Sequence, residues 1–63
     1  MPLEILQWLL NSNARCSLLK NRDMLCMKVA VDDPNGGPEH YTIFQLEDDF
    51  IQPLQALRES ING

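Results

Sequence analysis

Sixty-three residues at 7.2 kDa allow one domain with one modest core, which removes large enzymatic architectures from consideration. A chain with 44% apolar and 22% charged residues has the make-up of a folded domain. Its net charge of −4, with a pI near 4.6, opposes non-specific attraction to nucleic-acid phosphates or to an anionic membrane and suits a basic partner.

Met1 to about Leu10 reads as a helix. Pro2 suits a first helical position, and Leu3, Leu6 and Leu10 share a stripe that Ile5 and Leu9 widen, with Trp8 off its centre. Asn11-Ser12-Asn13 should end it, because these side chains compete for backbone groups. Ala14 to Leu19 is ambiguous between helix and strand. The turn composition of Lys20-Asn21-Arg22-Asp23 predicts a hairpin.

From Met24 to Asp32 the residues alternate, with Leu25, Met27, Val29 and Val31 on an apolar face and Met24, Cys26, Lys28 and Ala30 on a mixed one. Asp33-Pro34-Asn35-Gly36-Gly37-Pro38 predicts an exposed loop, since proline fixes φ and glycine permits positive φ. A third strand follows from His40 to Leu46. Asp48 and Asp49 suit the start of a last helix, where carboxylates accept orphan N–H groups. Pro53 disfavours helical backbone at Gln52, so the regular helix is expected from Pro53 after an opening turn at Asp49–Gln52. Phe50, Leu54, Leu57 and Ile61 line its apolar face, and Gly63 falls at a C-terminal cap. The expectation is one α+β domain over residues 1–63: a three-stranded antiparallel meander, α-β-β-β-α, with both helices on one face. A merged first helix, giving α-β-β-α, is the alternative. Leu6, Leu10, Val29, Phe44, Leu54 and Leu57 are the expected core.

Chemistry-bearing constellations are sparse. His40 with Cys16 or Cys26 lacks the spacing of a nucleophile and base, and cysteines in strands commonly act as small hydrophobes. No Cys-x-x-Cys or paired histidine suggests zinc. Asp33 and Asn35 could begin a calcium loop, but Pro38 and Phe44 fall where glycine and a bidentate carboxylate are required. Neither an enzyme nor a cofactor is expected. The start lacks a signal-peptide pattern and no apolar run reaches about 18 residues, so reduced thiols and a cytoplasmic, non-membrane protein are expected.

Two local patterns resemble known families. Gly37-Pro38-Glu39-His40, followed four residues later by Phe44, looks like the Gly-Pro-x-His loop and next strand of double-stranded RNA-binding domains. Where that family has a lysine-rich helix start, this chain has Asp48-Asp49-Phe50-Ile51, and the opposite charge opposes phosphate binding. Cys16-Ser17-Leu18-Leu19, a polar turn, Met24-Leu25-Cys26-Met27-Lys28-Val29 and a strand before a helix resemble the first half of type III secretion chaperones. That resemblance implies a small acidic dimer holding a partner segment on an apolar surface, and it transfers no functional residue.

Charge is unevenly placed: residues 14–31 carry a balance of +3 and residues 32–63 one of −6. The resulting expectation is a non-enzymatic protein-protein interaction module, a small regulator, inhibitor or chaperone-like adaptor, acting as a homodimer or subunit of a complex. The acidic residues Asp32, Asp33, Glu47 and Asp48, with Trp8 as aromatic anchor, are the expected partner contact. The alternative is a nucleic-acid-binding domain using Arg15, Lys20, Arg22 and Lys28 of the basic segment 15–28.

Overall fold

The computed structural model describes residues 2–62, in the order α1 (Pro2–Asn11), β1 (Arg15–Asn21), β2 (Met24–Val31), β3 (His40–Gln45) and α2 (Ile51–Asn62). This is the expected α-β-β-β-α arrangement, and Ala14 to Leu19 resolves into the approach to β1 and the strand itself. The readings placed on Met1 and Gly63 fall outside the described residues. No helix of the described chain is long and apolar enough to cross a membrane.

Backbone geometry ends α1 where side-chain competition was the expected cause. Asn13 adopts φ 55°, its N–H donates to Leu10 O at 3.4 Å, and the Ala14 N–H reaches Leu9 O at 3.2 Å. That pair of bonds is a Schellman motif, and asparagine is one of the few residues that tolerates the left-handed position it needs.

The sheet order is β1-β2-β3, antiparallel throughout. Asn21 pairs with Met24, so the hairpin loop is only Arg22-Asp23, two residues shorter than its composition suggested, with Arg22 at φ 59°. Cys16, Val29 and Thr42 stand in one cross-strand row, and Leu18, Met27 and Phe44 in the next. These rows form the inner face, because Val29 and Val31 share a buried cluster with Ile5 of α1 and Leu54 and Leu57 of α2. Both helices therefore cover the same face. A single helical layer on the sheet gives the molecule its flattened 37 × 27 × 18 Å extents.

The helix α2 begins at Ile51, two residues earlier than expected. Pro53 lies within its first turn, where an N–H would lack an intrahelical partner in any case. Asp49 Oδ1 accepts the Ile51 N–H at 3.0 Å, supplying the anticipated acidic start.

The core needs correction on α1. Ile5 is 1% exposed, whereas Leu10 is 79% exposed and Leu6 also faces solvent. Residues 5 and 6 differ by about 100° around a helix, so seating Ile5 against Val29 and Leu54 turns Leu6 to the margin and Leu10 beyond it. Val29, Leu54 and Leu57 are buried as expected; Phe44 is half-buried against the cluster. Leu25, assigned to the apolar strand face, lies past the reach of the helices and is exposed.

Candidate functional site

The meander separates the acidic residues into two groups. Asp32 and Asp33 follow β2, while Glu47 and Asp48 follow β3, which runs the other way. The pairs Val31–His40 and Cys26–Gln45 mark the two ends, about 17 Å apart at about 3.3 Å per residue. The four carboxylates thus do not share one surface. Trp8 is half-buried and borders a depression with Asp32, Pro34 and Ile61, so it joins the first group alone.

Within that group the carboxylates are already engaged. Asp33 Oδ2 accepts the N–H groups of Asn35 at 2.9 Å and Gly37 at 3.2 Å, and its Oδ1 lies 2.7 Å from His40 Nε2. The hydrogen bond from His40, followed by those from Gly37 and Asn35, holds the Asp33 carboxyl below its ordinary range. Gly36, at φ 85°, supplies the positive φ that lets this loop fold back around the carboxylate. Asp32 receives an Arg15 Nη2 bond at 3.0 Å, and the same nitrogen reaches Glu39 at 2.6 Å. This cluster raises the Arg15 guanidinium pKa further, chiefly through the Glu39 bond and then the Asp32 bond.

The basic segment is divided as well. Arg15 and Lys28 occupy the outer sheet face, where Lys28 Nζ stands 4.8 Å from the Tyr41 ring centroid. Lys20 lies in register with Leu25 on the inner face, and Arg22 sits in the hairpin turn. Cys16 is exposed on the inner face, Cys26 is buried on the outer face, and His40 is committed to Asp33. Among the described residues no three His, Cys, Asp or Glu side chains gather closely enough to hold a metal ion.

A further feature, not legible in the sequence, is apolar. Between α1 and the start of α2, the inner face stays open as a groove floored by Met27, Val29 and Phe44 and walled by Leu6, Leu46 and Phe50. Phe50 is 41% exposed there, although its spacing with Leu54 suggested burial. The turn Glu47-Asp48-Asp49 joins the two wall residues Leu46 and Phe50 along the chain and lies outside the groove lining. Asp48 and Asp49 also border a depression with Met24 and Gln52. An available signal was the surplus of Leu3, Ile5, Leu6, Leu9 and Leu10 on a ten-residue helix, more than one such helix buries on one face.

Compared with known proteins, the chain matches no family model, no curated protein and no solved structure.

Proposed function

We propose that this chain is a non-enzymatic protein-interaction module that receives an apolar segment of a protein partner, flanked by basic residues, in the groove between α1 and the start of α2. The observation that carries this reading is the apolar groove over half-buried Met27 and Phe44, bounded by the exposed side chains of Leu6, Leu46 and Phe50. Apolar surface of this kind drives association, and the Glu47-Asp48-Asp49 turn beside it selects for positive charge. Glu47 and Asp48 thereby keep their expected role as partner contacts. Asp32 and Asp33 lie at the other end of the sheet, bonded to Arg15 and to the loop, and Trp8 packs against the core cluster.

The setting that fits is a reducing one such as the cytoplasm, a reading supported by two free thiols on opposite sheet faces. The nucleic-acid alternative has less support, since Arg15 is occupied by two carboxylates and the other cations are dispersed.

Selection of the purified chain against a displayed random-peptide library tests the proposal. The expected consensus has two or three large apolar residues beside Lys or Arg, with binding abolished by Phe50→Asp and unaffected by heparin. Absence of a consensus, or equal binding by Phe50→Asp, would overturn the groove as the binding site. Retention on heparin at low salt with displacement by DNA would favour the nucleic-acid reading.

A further inference from the structure

The sheet has two edges. β3, which α2 contacts from the inner face, forms one and has two exposed residues, Tyr41 and Ile43; β1 forms the other, and all seven of its residues are exposed. Leu25 O accepts the Leu46 N–H at 3.1 Å, so the peptide groups of Leu25 face the β3 side. Peptide direction alternates along an antiparallel strand, which turns those of Met24, Cys26, Lys28 and Ala30 toward β1. Their partners Asn21, Leu19, Ser17 and Arg15 complete that ladder. The N–H and C=O groups of Cys16, Leu18 and Lys20 consequently face outward. Natural edges are commonly guarded by proline, a bulge or inward-pointing charge; β1 contains no proline and pairs in continuous register, and its charges stand near its ends, with Arg15 held by Asp32 and Glu39 on the outer face and Lys20 on the inner face.

We propose that β1 pairs antiparallel with β1 of a second copy about a two-fold axis at Leu18, joining the two meanders into one six-stranded sheet. This inference goes beyond the groove reading and does not depend on it. Leu18 is the midpoint of Arg15–Asn21, and the outward-facing residues 16, 18 and 20 are symmetric about it. In this register Leu18 meets its own copy, Cys16 meets Lys20, Ser17 meets Leu19 and Arg15 meets Asn21. Every outward N–H and C=O then finds a partner, and no cation faces another. A shift by one residue toward the strand start would oppose Arg15 to Lys20 and put the helices of the two copies on opposite faces.

Apolar surface and area favour the same occupant. Leu18 is 62% exposed on the inner face, and Leu10 shares a depression with Cys16 beside this edge. The accessible surface is 4795 Å², against about 4,100 Å² for a compact monomer of this mass. A standard interface takes about 800 Å² from each partner, comparable with that excess.

Sedimentation equilibrium of the purified chain over a concentration series is the primary test. The expected result is a dimer, with Leu18→Lys, which puts two ammonium groups on the axis, raising the dissociation constant by about tenfold or more while the circular dichroism spectrum is unchanged. Cysteine placement decides the register even if that variant fails to fold. In a Cys16→Ser, Cys26→Ala background, which also removes the thiol opposite position 19, Leu18→Cys should cross-link to a dimer under an added oxidant, whereas Leu19→Cys, which faces Ser17 of the other copy, should not. A parent that remains monomeric at about 100 μM overturns the proposal. So does a dimer that survives Leu18→Lys unchanged, or equal cross-linking at positions 18 and 19.

Discussion

Asp33 and His40 meet at 2.7 Å across a seven-residue interval and close the loop between β2 and β3. The same carboxylate holds two backbone amides of that loop, so one charged group organises the Pro/Gly segment and fixes where β3 begins. Polar loop composition here serves internal structure before it serves any partner.

A pH dependence follows. The folded-state pKa of Asp33 is depressed, mainly by the His40 hydrogen bond. Such a group contributes stability above its unfolded pKa, near 3.9, and that contribution fades as pH falls through the folded value. Asp33→Asn should therefore lower the urea midpoint at pH 7, and its difference from the parent should shrink steadily below about pH 4. A constant difference from pH 7 down to pH 2 would contradict the assignment.

The revised core predicts unequal costs for similar truncations. Leu57→Ala and Ile5→Ala, at 4% and 1% exposure, should each destabilise by about 2–5 kcal/mol. Leu10→Ala should stay within about 0.5 kcal/mol of the parent monomer. Denaturant titration of the three variants separates a core built on Ile5 from one built on Leu6 and Leu10.

The hairpin turn holds removable strain. Arg22 adopts φ 59°, a conformation that costs an ordinary L-residue about 1–2 kcal/mol and glycine very little. Arg22→Gly should raise stability by about 1 kcal/mol after the entropy of the more flexible unfolded chain is deducted. Thermal denaturation gives the sign directly.

For a peptide carrying apolar residues and a basic flank, the combined change Glu47→Gln and Asp48→Asn should slow association and flatten its salt dependence. Asp32→Asn, at the far end of the sheet, should leave both unaltered. Stopped-flow measurements at low and high ionic strength distinguish the two ends.

The strand order was legible because its signals are local: alternation through Met24–Val31, the Asp33–Pro38 loop composition, and the acidic start before Leu54 and Leu57. The rotation of α1 was not. Ile5, Leu6, Leu9 and Leu10 are all apolar, and only packing against Val29 and Leu54 selects among them. The separation of Asp32 and Asp33 from Glu47 and Asp48 was implicit in an antiparallel meander, whose successive connections fall at opposite ends. Linear charge counting merged them. The Arg15–Asp32–Glu39 cluster depends on strand register, which propensity does not specify, and the groove depends on how much of the sheet two short helices leave bare.

The placement of Cys16 and Cys26 on opposite faces, one exposed and one buried, equips the chain with a two-channel chemical reporter. An alkylating reagent meets Cys16 beside β1 without any opening of the fold, so its labelling rate tracks occupancy of that margin by a partner or a second copy. Cys26 becomes available only when the strands around it part, and its slower labelling tracks local or global unfolding. Mass spectrometry of a single timed reaction would thus read assembly and stability from the same unmodified molecule.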